Sequence, residues 1–243
     1  DVPYYSDDWK SKWHLIKSTN AKRKEHKRKL KKALNEIGAD VVISTGTSDK
    51  FFLPSIVPKG TTVIREFHFC TKYRHLHATN RFESIKAYIG DFIDYKIKMK
   101  KYDQIYLLTE EDRQCWNNNK KISVMPNPNS FIPKRTVTEK SKKVIAVGRY
   151  SLPKRFDNLL LIWAKITHRF PGWSLEIWGE GGERKKLEDM IVKLDIGKTA
   201  FLKGYTSNIE EHLSTSSIFA MTSDYEGFPL VLLEAMTCGV VPV

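Results

Sequence analysis

From residue 40 onward, short runs of aliphatic residues alternate with longer stretches in which apolar residues recur every three or four positions. The short runs read as buried strands and the longer stretches as amphipathic helices. Strands are expected at 41–43, entered from Gly38 and left at Gly46, and at 63–64, 105–108 and 122–125. A helical pattern fills 82–100, with Ile85, Ile89, Phe92 and Ile93 apolar. Thr109, with Asp112 three residues on, has the form of a helix N-cap. The alternation is clearer in the second half. Strands are expected at 144–147, 175–178, 200–202, 218–221 and from 240. Helices are expected at 157–170, 183–194, near 208–214 and at 229–238. In the helix at 157–170, Leu159, Ile162, Trp163, Ile166 and Phe170 form the apolar face.

Repeated strand–helix units imply parallel sheets covered on both faces. Pro126, Pro128 and Pro133, interleaved with Asn127, Asn129 and Ser130, mark a break. The organisation read from this is an α/β chain with a domain at 1–125, a linker at 126–141 and a second domain at 142–243. Ligands of doubly wound sheets sit beyond the carboxyl ends of the strands. The informative loops are therefore those after 147, 178, 203 and 222.

Composition narrows the class. The 243 residues carry a net charge of +13. Residues 1–135 hold 27 Lys/Arg against 15 Asp/Glu, while residues 136–243 are near balance at 14 against 13. The densest stretch, 22–32, has eight basic residues and one acid, Glu25, and its second part runs into a helical pattern of Leu30, Ala33, Leu34 and Ile37. Such a helix can be a solvated face, rest on anionic lipid or accept an acidic substrate. No recognisable nucleic-acid module accompanies it. The acids at Asp1, Asp7 and Asp8 do not fit a signal peptide, and no apolar run reaches the length of a membrane span. Cys70, Cys115 and Cys238 are odd in number and far apart, which points to a reducing compartment and a soluble intracellular protein.

Two loops carry the chemistry. After the strand at 144–147, Gly148 to Asp157 sets Arg149, Lys154 and Arg155 between a strand end and a helix start. Arg149 and Lys154 could converge on one anion, the arginine as a planar fork and the lysine as a mobile point charge. The alternative is an exposed loop whose cations are solvated. After the strand at 218–221 comes Thr222 to Met236. Gly227 lets the backbone turn sharply, Pro229 suits the first turn of a helix, and that helix start is a ready anion site. Glu226 lies just before the helix. Glu234 lies two turns into it among Leu230, Val231, Leu232, Leu233, Ala235 and Met236. It either reaches a hydroxyl or cation, or occupies the polar face of a half-buried helix. The run Gly179-Glu180-Gly181-Gly182 meets neither the dinucleotide fingerprint nor the phosphate-loop pattern. His75 and His77 lack a carboxylate cluster, so no metal site is expected.

Together these residues resemble the retaining GT-B glycosyltransferases of family four. Glu226 and Glu234 match that family's E-x7-E motif, with Gly-Phe-Pro after the first acid. Val124 to Pro128 resembles its interdomain V-I-P-N-P segment. Gly148-Arg149, Lys154 to Asp157 and Leu159-Leu160 resemble its G-R-x-x-x-x-K-G-F-D-x-L-L block, with Arg155 in place of the glycine. Ile177 to Gly181 is similar to its strand-then-glycine segment, and Tyr102 to Asp112 to a strand followed by L-T-x-x-D. The likeness is dense from about 102 and thin before it.

The resemblance implies a GT-B fold of two Rossmann-like domains, each incomplete here, with the chain truncated at both ends. It implies transfer of a hexose from a nucleotide-diphosphate sugar to an acceptor hydroxyl with retention, without a bound metal. UDP is the expected nucleotide and GDP the alternative. Arg149 and Lys154 would bind the diphosphate, Glu234 the ribose hydroxyls, and Glu226 the transferred sugar. Backbone amides from Gly227 and Phe228 through Leu230 and Val231 would face sugar and phosphate. Gly179 and Gly181 would lie near the base. His68 resembles the acceptor-domain histidine that points into the cleft, with a structural histidine at a strand end as its other reading. The acceptor would be a glycan or lipid-linked molecule of bacterial surface polysaccharide, lipopolysaccharide or capsule assembly. The protein would be cytoplasmic, with peripheral contact to the anionic inner membrane face and no nucleic-acid partner. The alternatives are a nucleotide-sugar-binding fragment without turnover, a basic membrane- or nucleic-acid-binding protein, and a sugar-nucleotide epimerase on the same architecture.

Overall fold

In the computed structural model, residues 12–46, 49, 52–68, 75, 78, 80–116, 120–133 and 140–243 are described. Cys70, His77, the acidic start of the chain and residues 134–139 of the expected linker lie outside them. The chain divides into two units, Asp1–Pro126 and Asn127–Val243.

The first unit opens with helix α1 (Lys12–Ile37), followed by strands β1 (Val41–Ser44) and β2 (Thr62–Glu66). Helix α2 (Arg81–Phe92) leads through a π-helical stretch (Ile93–Lys98) to β3 (Gln104–Leu107). Helix α3 (Glu110–Gln114) and β4 (Ile122–Val124) complete it. The four strands form a parallel sheet in the order β1-β2-β3-β4. Thr109 caps α3 as its sequence suggested, Oγ1 accepting from the Asp112 N–H at 3.1 Å.

One face of this sheet carries the core. Val63, Ile105, Leu107 and Ile122 pack with Leu34 of α1, Phe52, Leu53, Met99, Tyr102 and Trp116. Register puts Val41 and Ile43 of β1 on the opposite face, and both are exposed. The expected covering of both faces is therefore not met at β1 among the described residues. Two apolar readings also change. Ile37 points to solvent at the end of α1, beyond the turn where Leu34 packs. Ile85, Ile89 and Phe92 of α2 are exposed, while Ala87 is the residue that α2 buries.

The second unit contains β5 (Ser141–Val147), α4 (Phe156–Ile166), β6 (Ser174–Trp178), α5 (Arg184–Lys193) and β7 (Ala200–Gly204). It continues with α6 (Ile209–Thr215), β8 (Ser216–Phe219), α7 (Leu230–Thr237) and β9 (Val241–Pro242). All pairs are parallel, in the order β7-β6-β5-β8-β9. Strand order reverses between β5 and β8, the point at which doubly wound sheets open a crevice for ligands. Helices cover both faces. Leu159, Leu160 and Trp163 of α4 join Leu187 of α5 on one side. Leu213 of α6 and Ala235 of α7 lie on the other. The buried face of α4 is turned from the expected one, with Leu160 inside and Ile162 and Phe170 exposed. Among the described residues no helix is long and apolar enough to cross a membrane.

Asn127 and Asn129 of the expected linker are tied to α7 and the turn before it. Asn127 Nδ2 donates to the Phe228 carbonyl at 3.0 Å, and Asn129 Nδ2 to Thr237 Oγ1 at 2.7 Å.

Candidate functional site

The loops after β5 and β8 meet at the point where strand order reverses. The Asp224 N–H donates to the Pro153 carbonyl at 2.9 Å. Thr222 Oγ1 lies 3.2 Å from the Lys154 carbonyl and 3.0 Å from that of Arg155. Lys154 Nζ donates to Glu226 Oε1 at 2.6 Å. Its aliphatic stem crosses Gly148, where an added Cβ would come within 3.2 Å of Lys154 Cε. Glycine at 148 therefore leaves room for the lysine to lie across the strand end. Arg149 is exposed and has no ion pair among the described residues. Two of the expected anion-binding cations thus start from different states, one engaged and one open to solvent.

Glu234 is half-buried in α7 and accepts a hydrogen bond from Ser130 Oγ. Its carboxylate already works as an acceptor for a hydroxyl, the kind of group a ribose presents. Helix α7 starts at Leu230, with Pro229 as its N-cap residue, so the proline sits one position outside the helix rather than in its first turn. Gly227 and Phe228 lie in the turn before it, and Leu230 and Val231 open it. Val231 packs partly against the core beneath while Leu230 is exposed.

The glycines after β6 have a packing role that spacing did not reveal. Gly148 N donates to the Trp178 carbonyl and Tyr150 N to the Glu180 carbonyl, both at 2.9 Å, so the two loops continue the sheet's pairing past the strand ends. At Gly179 φ is 141°, and an added Cβ would overlap the Gly148 carbonyl oxygen. At Gly181 it would overlap the Tyr150 carbonyl oxygen. Both glycines therefore let the loop after β6 lie directly on the loop that carries Arg149 and Lys154. Tyr150 lies wholly buried between the loops, its Oη donating to the Ile177 carbonyl at 2.8 Å. Burial pushes its phenol above the ordinary range. Sequence reading passed over Tyr150, although an aromatic next to Arg149 at the strand end was the available signal.

In the first unit, His68 follows β2 with its side chain 48% exposed and Nε2 3.3 Å from Glu66 Oε2. Near it Arg65 is fully buried, its Nη1 donating to the Ser44 hydroxyl and the Gly46 carbonyl. His75 Nε2 lies 2.7 Å from Asp91 Oδ2. Among the described residues no group of three or more His, Cys, Asp or Glu side chains is arranged to hold a metal ion.

The parallel α/β architecture of both units is that of the GT-B fold class. Residues 129–243, nearly all of the second unit, match the family profile described as glycosyl transferases group 1. An uncharacterized glycosyltransferase of Haemophilus influenzae is 33% identical over 141 residues, covering 56% of this chain and 40% of that protein. The amylovoran biosynthesis glycosyltransferase AmsD of Erwinia amylovora is 32% identical over 143 residues, covering 55% and 40%. A crystal structure of S. aureus TarM in complex with fondaparinux, alpha-GlcNAc-glycerol and UDP superposes with a TM-score of 0.66 at 21% identity. That match covers 83% of this chain and 40% of TarM. The chain thus spans 40% of the length of each of these relatives.

Proposed function

We propose that this chain carries the donor-binding part, and a portion of the acceptor-side part, of a retaining glycosyltransferase that uses a UDP-sugar. The observation that carries the reading is the 2.6 Å contact of Lys154 with Glu226 at the strand-order reversal, just ahead of the start of α7. A diphosphate on Lys154, joined by Arg149, would set its charge against two cations. The sugar would then lie toward Glu226 and the ribose toward Glu234. In the reaction an acceptor hydroxyl oxygen bonds to the anomeric carbon, the bond from that carbon to the diphosphate oxygen breaks, the hydroxyl proton passes to that departing oxygen, and UDP leaves. Lys154 and Arg149 stabilise the negative charge that grows on the leaving group. The backbone N–H groups at the start of α7 add to the same field. His68 belongs to the acceptor-side unit, where it would face the incoming hydroxyl.

The relatives support a surface-glycan acceptor. AmsD is described as an amylovoran biosynthesis glycosyltransferase, and another relative as a poly(ribitol-phosphate) alpha-N-acetylglucosaminyltransferase. A hexose or N-acetylhexosamine donor fits that company. We further propose that the basic first unit works against an anionic membrane surface, with the exposed apolar stripe of α2 as its contact. Titration calorimetry with UDP, UDP-sugars and UDP lacking the ribose hydroxyls tests the donor reading. Wild-type protein should prefer intact UDP, and Glu234→Ala should erase that preference. Absence of binding to every nucleotide sugar would overturn the proposal.

A further inference from the structure

Arg155 sits in the left-handed region at φ 49°, at the residue before α4. Glycine adopts this conformation freely, whereas a side chain with a Cβ does so at a cost. The backbone at 155 thus favours glycine, and the arginine must be explained by its side chain. That side chain is fully engaged. Nε donates to Asp157 Oδ1 at 3.1 Å and Nη2 to Asn158 Oδ1 at 3.0 Å, both in the first turn of α4. Nη1 reaches across to Asp224 Oδ1 at 3.2 Å, in the loop after β8. One guanidinium therefore joins the two loops of the cleft. It follows Lys154 directly, and its partner Asp224 lies two residues before Glu226.

We propose that Arg155 is a positioning residue for the donor site, fastening the loop after β8 to the start of α4 so that Lys154 and Glu226 keep a fixed separation. This rests on reading the cleft as the nucleotide-sugar site. Each guanidinium nitrogen already has a protein acceptor, so Arg155 acts through its neighbours rather than by touching the donor. A loop that must be ordered on binding costs affinity, and the clamp orders it beforehand. Asp224 itself has one other bond to the first loop, its N–H to the Pro153 carbonyl; on either side of it Thr222 Oγ1 and Glu226 also touch that loop, and the guanidinium is the tie at the loop's middle.

Arg155→Gly separates positioning from bulk stability, because it removes the clamp and relieves the backbone together. Expected is a thermal midpoint that holds or rises while the UDP dissociation constant increases about 3- to 10-fold. Asp224→Asn should weaken UDP similarly, and the double variant should add little, since both remove one interaction. Arg155→Lys, which keeps charge but loses the fork, should recover part of the affinity. UDP binding by Arg155→Gly equal to wild type overturns the proposal. Amide exchange of residues 222–227 in the ligand-free protein gives a readout independent of the nucleotide. It should quicken about tenfold or more in Arg155→Gly, and unchanged exchange overturns the clamp. Wild-type protein that fails to bind UDP, with exchange quickened as expected, overturns the donor reading and the positioning role while leaving the clamp itself intact.

Discussion

Lys154 and Glu226 stand 72 residues apart in the chain, yet their side chains meet at 2.6 Å. Each keeps about a quarter of its side chain exposed, 26% and 24%. The pair is part-buried, and both side chains remain reachable from solvent. A hydrogen bond from a lysine to a charged phosphate contributes about 1.5–3 kcal/mol. On the proposed donor reading, an entering diphosphate, which carries more negative charge than one carboxylate, would compete with Glu226 for the ammonium. Glu226 holds Lys154 over Gly148, and on that reading it would be released toward the sugar when the phosphate arrives.

This exchange predicts opposite responses from the two partners. Lys154→Ala should raise the dissociation constant of UDP about 10- to 100-fold. Glu226→Gln removes the competing anion, so UDP should bind equally well or up to about fivefold tighter, while sugar transfer falls. Titration at fixed ionic strength separates the two. A Glu226→Gln protein that binds UDP several-fold more weakly than wild type would contradict the exchange.

Gly179 and Gly182 should differ sharply although they share one loop. A Cβ at Gly179 would strike the Gly148 carbonyl, and φ there is 141°. At Gly182 it would meet nothing within 4 Å. Gly179→Ala should destabilise the second unit by roughly 3 kcal/mol or more, and Gly182→Ala should stay within about 0.5 kcal/mol. Urea unfolding followed by tryptophan fluorescence checks both, and equal midpoints for the two variants would refute the loop contact.

That pair also shows where sequence was and was not informative. Strand–helix alternation from 144 onward led to five parallel strands because each apolar run is short and bounded. The cations and acids of the cleft were visible for the same reason, since their loops lie at strand ends. What a glycine approaches is a tertiary fact, so Gly179 signalled close contact without naming Gly148. Periodicity showed α2 to be amphipathic but carries no information about which side meets the protein, and its apolar stripe faces out. Arg155 was visible only as a departure from the family's glycine. Its link to Asp224 depends on where the β8 loop lands.

Tyr102 ties the stability of the first unit to alkaline pH. It is fully buried, and burial raises its phenol from 10.0 to about 12. Below pH 10 both folded and unfolded forms are protonated and the full contribution is present. Between 10 and about 12 the unfolded phenol ionises while the folded one does not, so stability falls as pH rises through that window. The total loss is roughly 2–3 kcal/mol. Tyr102→Phe should lose this slope, so wild type should lose about 1.4 kcal/mol relative to the variant between pH 8 and pH 11. A stability difference that is constant across that range would show that the folded phenol titrates normally.

The exposed stripe of α2 makes the membrane proposal specific. Phe82 is 65% exposed, Ile85 50%, Ile89 52% and Phe92 56%. They lie at helical spacing on one side, away from buried Ala87. Lys86 Nζ sits 4.3 Å from the centre of the Phe82 ring, and Arg81 opens the same helix. An apolar stripe flanked by cations suits the boundary between acyl chains and anionic headgroups, where the long basic side chains reach back to phosphate. Full burial of one such apolar side chain stabilises by about 1.5–3 kcal/mol. The double variant Phe82→Ser, Ile89→Ser should therefore lower partitioning onto phosphatidylglycerol vesicles by about tenfold or more, with α-helical content unchanged by circular dichroism. Wild-type binding should fall steeply with salt and be weak on phosphatidylcholine, because attraction of the basic unit brings the stripe to the surface. Retained binding in the double variant would assign the contact to charge elsewhere in the first unit, with α1 and its basic run at 22–32 the next surface to alter.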